Sequence, residues 1–131
     1  MGLTIGVVTE TAPDERRVAL VPEILRKLLA ADARVLVQAG AGVAARIPDD
    51  DFDGAEIAPD AATVISAADV LLKVQPPTPE EVGAMKDGAT VIGFMQPHRQ
   101  AEMIRALCDK GVTSLAMELV PRISRAQSMD A

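Results

Sequence analysis

Three groups of residues in this sequence could do chemistry. Arg16 and Arg17 follow Glu15 in a polar loop behind the first apolar run, and Lys73 sits inside the apolar stretch DVLLKV, residues 69–74. A buried, unpaired ammonium is costly. Lys73 must therefore reach a strand end, find a partner, or snorkel with its stem in the core. Two readings stay open: a snorkelling lysine, and an anion site shared by Arg17 and Lys73. The second group is His98, the single histidine, which follows Pro97 at the end of TVIGFM. A lone loop histidine reads as surface before it reads as a general base. The third is the terminal RISRAQSMDA, residues 122–131, which gathers two guanidiniums, an amide, two hydroxyls and a carboxylate. These are hydrogen-bonding groups, suited to holding a polar ligand in place.

The elements that must position these groups follow from hydrophobic periodicity. Apolar runs at 3–8, 34–38, 69–74, 90–95 and 112–117 read as strands. Helical spacing appears at 22–31, where Ile24, Leu25, Leu28 and Leu29 share a face and Pro22 suits the first turn. Residues 59–68 form a modest helix. Thr78 with Glu81 three residues on is a capping box that opens a helix over 78–85. A last helix over 99–110 carries Met103, Ile104, Leu107 and Cys108 on its apolar face, with Gly111 as its closing residue. Residues 9–17 and 40–53 read as loops. Strand and helix alternate, and the strands are nearly continuous apolar runs. That pattern predicts an α/β fold, a parallel sheet with helices on both faces, three-layered and Rossmann-like or flavodoxin-like. In such folds ligands sit beyond the carboxyl ends of the strands. The segments 9–17, 73–77, 96–98 and 118–130 are therefore the ones to inspect.

One pattern invites a wrong turn. Gly40-Ala-Gly42-Val-Ala-Ala45 follows a strand and matches G-x-G-x-x-A. The dinucleotide fingerprint works because a helix N-terminus faces the pyrophosphate. Here Pro48 and the aspartates 49–51 arrive within a few residues, leaving room for about one turn. A tight glycine turn is the expected structure, and the acidic cluster a solvated loop.

Composition excludes several classes. The chain has 131 residues, 49% hydrophobic, with two Phe, no Trp, no Tyr and a net charge of −6. Nucleic-acid binders stack bases on aromatics and present basic patches; neither is present. The apolar runs fall far short of the roughly 18–20 residues that span a bilayer, and MGLTIGVVTE has no basic region of a secretory signal. One cysteine, Cys108, forms no internal disulfide, and with one His and one Cys a zinc cluster is not expected. A cytoplasmic protein is the default expectation. Cys108 and the six methionines read as core filling.

The terminal segment carries one more signal. Ser124-Arg-Ala-Gln127 is a capping box, yet only four residues follow it, and a helix that short does not hold itself in water. The expectation is that residues 1–131 open a longer chain.

With ERRVALVP, QAGAG, LLKVQPP, VIGFMQP and ELVPRISRAQSMDA in order, the whole sequence resembles the N-terminal part of the alpha subunit of proton-translocating NAD(P) transhydrogenase. Alanine dehydrogenase is the close cousin in the same superfamily. The resemblance implies an incomplete first domain, without the fingerprint, whose Rossmann domain and returning C-terminal segment lie outside these residues. It implies NAD(H) as cofactor, with NADP(H) on a partner component, and hydride transfer from NADH to NADP⁺ coupled to proton translocation. It also implies a homodimer of the subunit, docked on the NADP(H)-binding and membrane components and so peripheral to the inner membrane. By the same resemblance Arg122, Ser124, Arg125, Gln127, Ser128 and Asp130 belong to a loop at the nicotinamide, with Gln127 orienting the ring. Hydride transfer needs two rings held close rather than an acid or base. In alanine dehydrogenase the residues matching Arg17 and Lys73 hold the substrate carboxylate. The catalytic histidine of that enzyme is matched here by Gln96, with His98 two residues on, which departs from the pattern. The alternatives are an alanine dehydrogenase-like amino-acid dehydrogenase and a non-catalytic dimerisation or docking module.

Overall fold

Side chains that alternate along a strand must leave on opposite faces, and this divides the molecule into layers. In the computed structural model, which describes residues 3–12, 14–93 and 101–116, six strands form one parallel sheet. In chain order the elements are β1 (Thr4–Val7), α1 (Pro22–Ala30), β2 (Arg34–Gln38), β3 (Glu56–Ala58), α2 (Ala61–Ala67), β4 (Val70–Leu72), α3 (Pro79–Ala84), β5 (Thr90–Gly93), α4 (Ala101–Lys110) and β6 (Thr113–Ala116). The sheet order is β3-β2-β1-β4-β5-β6, parallel at every pairing. It is a Rossmann-like sheet, and the chain reverses its direction of travel between β1 and β4.

Ile5, Val7, Val35 and Val37 point to one face, where they bury Leu25 of α1 together with Phe52. Leu36, Leu71 and Val91 point to the other, among Val64, Ile65, Val82 and Leu107 of α2, α3 and α4. Each core strand thus feeds two cores, which is why its sequence is apolar at every position. The layers are unequal: three of the four helices share one face. Among the described residues no helix covers β4 and β5 on the α1 face, so Leu72 and Ile92 stay half-buried there.

The predicted elements appear with shifted ends, and three expectations are corrected. The stretch before α2 contains a strand, β3, that sequence periodicity does not reveal. It has three residues and lies at the sheet edge beside β2. Ile24 does not join Leu25 in the core but is exposed, as is Val21 before it. Cys108 is exposed, not core filling, while its neighbour Leu107 is buried. Gly111 closes α4 with φ 69°, as a left-handed C′ residue should. Met103, Ile104, Gln96 and His98 lie outside what the structure describes.

Gly6 marks the tightest contact in the sheet. It is the residue of β1 that faces α2, and a Cβ there would sit 2.8 Å from Val64 Cγ1 and 2.9 Å from Ala68 Cβ. Neither neighbour is the loose end of a flexible chain. Gly6→Ala is therefore expected to overpack the layer and destabilise the chain by about 1–3 kcal/mol, read as a lowered urea midpoint with unchanged slope.

Candidate functional site

The loop after β1 and the exit of β4 meet beside the point where the sheet reverses direction. A pocket of about 340 Å³ opens there on the helix-poor face, lined by Arg17, Val18 and Ala19, by Leu72, Lys73 and Val74, and by Ile92 of β5. Strand carboxyl ends on either side of a reversal leave such a crevice because their connections run apart. Arg17 and Lys73, paired in the sequence reading as a candidate anion site, line the same pocket.

Lys73 is neither snorkelling nor waiting unpaired. It lies one residue past β4, its side chain only 2% exposed. Its Nζ is 3.2 Å from Glu10 Oε1 and 3.3 Å from Glu81 Oε2. Glu10 is 1% exposed and also accepts two backbone N–H groups, from Val74 at 2.8 Å and Gln75 at 3.0 Å. Glu81 comes from the predicted capping box. Thr78 N–H donates to Glu81 Oε1 at 2.8 Å, and Glu81 N–H donates to Thr78 Oγ1 at 3.1 Å. Its remaining oxygen faces Lys73. One ammonium is shared by two carboxylates, which satisfy their other lone pairs elsewhere; this is the condition under which a buried charge cluster is tolerated.

Arg17 is occupied too. Its Nε donates to Glu15 Oε2 at 2.8 Å and its Nη2 to Glu15 Oε1 at 2.9 Å, a two-pronged pair. Glu15 also receives the Arg17 backbone N–H at 3.0 Å and Gln75 Nε2 at 2.6 Å. The Arg17 guanidinium, then the Gln75 amide, then the Arg17 backbone hold the Glu15 carboxyl well below the usual carboxylate range. Sequence reasoning missed Glu10 and Glu15 as site residues. Glu15 stood two residues from Arg17 in plain view, whereas the Glu10–Lys73 contact joins distant parts of the chain and leaves no local signal.

The glycine turn is no phosphate cradle. The segment Val43–Ala45 is a single 3₁₀ turn. The Gly40 N–H, which an anion would need, already donates to Asp49 Oδ1 at 2.9 Å. Gly42 is required for packing, since a Cβ would come 2.6 Å from the Ile47 carbonyl oxygen. Among the described residues nothing fits the pyrophosphate of a dinucleotide. Arg122, Ser124, Arg125, Gln127, Ser128 and Asp130 lie outside the described residues.

Residues 6–131 match the family described as alanine dehydrogenase/PNT, N-terminal domain. The chain belongs to that family. It is 42% identical over 135 aligned residues to the first of the separate polypeptides of the NAD(P) transhydrogenase alpha subunit of Rhodospirillum rubrum, covering 98% of this chain and 35% of the relative. It is 38% identical over 120 residues to the alanine dehydrogenase of Mycobacterium tuberculosis, covering 90% of this chain and 32% of that one. Among solved structures, the transhydrogenase from Sinorhizobium meliloti superposes with a TM-score of 0.89 at 43% identity, over 97% of this chain and 38% of that one. The chain thus spans about a third of the length of these relatives. The resemblance carried by the sequence motifs, to the N-terminal part of a transhydrogenase alpha subunit, is borne out.

Glu15 gives this family member an acid-sensitive contact. An unfolded glutamate titrates near 4.3, while the folded carboxyl titrates lower, so between the two the unfolded state binds more protons and stability rises with pH. The contribution is whole above the ordinary value and is lost as pH falls below it. Between about pH 6 and about pH 3, Glu15→Gln is expected to lose less unfolding free energy than the wild type, in urea titrations at each pH.

Proposed function

We propose that the complete protein is a NAD(P) transhydrogenase subunit and that this chain is its N-terminal part. The likeness to the R. rubrum transhydrogenase alpha polypeptide along 98% of the chain carries the reading. The subunit binds NAD(H), and hydride passes from NADH to NADP⁺ on a partner component, coupled to proton translocation. It works as a homodimer on the cytoplasmic side of the inner membrane, peripheral to the membrane component. No helix among the described residues is long and apolar enough to cross a membrane, which is compatible with a peripheral role.

In this reading the dinucleotide is held mainly by the domain beyond Ala131, because the described residues offer the pyrophosphate no cradle. What this chain adds is the polar segment at its end. Arg122, Ser124, Arg125, Ser128 and Asp130 hold the nucleotide, and Gln127 orients the nicotinamide ring through its amide. The cofactor supplies the hydride chemistry; the residues supply orientation. Arg17 and Lys73 form an anion pocket retained in the scaffold.

A second reading, an alanine dehydrogenase-like enzyme, draws on the 38% identity to the M. tuberculosis alanine dehydrogenase and on the pocket that brings Arg17 and Lys73 together. Alanine-dependent NAD⁺ reduction by the complete protein would favour it over the first.

If Gln127 positions the ring, Gln127→Asn in the complete subunit slows hydride transfer at saturation more than it weakens NADH binding. Stopped-flow transfer rates beside an NADH titration separate the two. Collapsed binding with an unchanged saturated rate would sink the positioning role.

A further inference from the structure

The pocket contains more negative charge than positive. Arg17 and Lys73 supply two cations; Glu10, Glu15 and Glu81 supply three carboxylates in contact with them. Two of those carboxylates are built in: Glu10 is fixed by the Val74 and Gln75 backbone, and Glu81 by the helix cap. Glu15 differs. It sits in a loop, and its carboxylate engages two prongs of the Arg17 guanidinium in the fork geometry that a ligand carboxylate would adopt. Arg17 is 63% exposed, so ligand and solvent reach it freely. The walls beside it are Val18, Ala19, Leu72, Val74 and Ile92, an apolar lining for the body of a small acid.

We infer that Glu15 is an intramolecular occupant of the Arg17 fork, and that a small monocarboxylate enters the pocket by exchange with it. The inference rests on the anion-pocket reading above and adds what controls access to it. The chain buries a surrogate carboxylate until an external one replaces it. Arg17 is then never left unpaired, and affinity for external acids is set by how well they compete with an internal one. Release of Glu15 also frees Gln75, whose amide donates to the same carboxylate at 2.6 Å. Ligand exchange at Arg17 thereby reaches the turn at the exit of β4.

The test is a titration of the ¹⁵N-labelled chain with sodium acetate against sodium chloride at matched ionic strength. The Arg17 Nε–H and Gln75 side-chain amide resonances are followed in the wild type and in Glu15→Gln. The glutamine keeps the size but offers a neutral, single-oxygen acceptor, so acetate should bind at least tenfold more tightly. In the wild type the Gln75 amide should shift with the same saturation curve as Arg17, because its partner has left. Equal affinity in both proteins, with Arg17 shifting in each, overturns the exchange while leaving the anion pocket standing. Weaker binding in Glu15→Gln makes Glu15 a support for Arg17 and also overturns it. No saturable shift in either protein removes the anion pocket and the exchange together. Should the variant fail to fold, a wild-type Gln75 amide unmoved at saturating acetate overturns the proposal alone.

Discussion

The site depends on a single carboxylate, that of Glu10. Its oxygens take the Val74 and Gln75 backbone N–H groups, and one of them lies within salt-bridge distance of the Lys73 ammonium, all inside the protein. The loop behind β1 and the exit of β4 come from parts of the chain more than 60 residues apart, and parallel strands provide no turn to join them. Without this contact two backbone donors and an ammonium would be buried without partners, each a penalty comparable to a lost hydrogen bond or greater. Glu81 brings α3 into the same cluster. Three elements are therefore fixed around one cation, and the pocket takes its shape from them.

Unequal layering decides where that pocket opens. Because α2, α3 and α4 cover one face and α1 covers the β1–β2 side of the other, Leu72 and Ile92 keep a half-buried apolar surface. The crevice at the sheet reversal opens onto it. The charges inside are arranged so that each has a partner in hand, and only the Arg17–Glu15 pair reaches solvent. The buried Lys73 cluster gives rigidity, and the exposed pair gives access. The glycine turn, which in outline resembles a nucleotide fingerprint, is closed from within by Asp49. Pyrophosphate binding in the proposed enzyme accordingly falls to residues beyond this chain.

Local features were legible in the sequence and long-range ones were not. The Thr78–Glu81 capping box, the Gly111 cap and Pro22 at the start of α1 appear as read, because each is decided within four residues. Strand β3 escapes because three residues, with Glu56 and Ile57 exposed at an edge, leave no apolar period to find. Ile24 and Cys108 depart from expectation for a shared reason. Each adjoins a buried leucine, and neighbours on a helix stand about 100° apart, so only one of the two can face the core. Lys73 raises the right question, since a lysine in an apolar strand needs a partner. Its partners could not be named, because Glu10 is joined to it only by the fold. The family motifs, in contrast, point to relatives whose fold the structure shares.

The claim that a buried Glu10–Lys73 contact holds the site together is tested most directly by a double-mutant cycle in urea unfolding, with Glu10→Gln, Lys73→Met and the pair. The account predicts a coupling energy of about 1.5 kcal/mol or more, because either single change strands a buried partner and the double change does not. A coupling within about 0.3 kcal/mol of zero would mean that the two residues are independent, and the site would need another explanation for its shape.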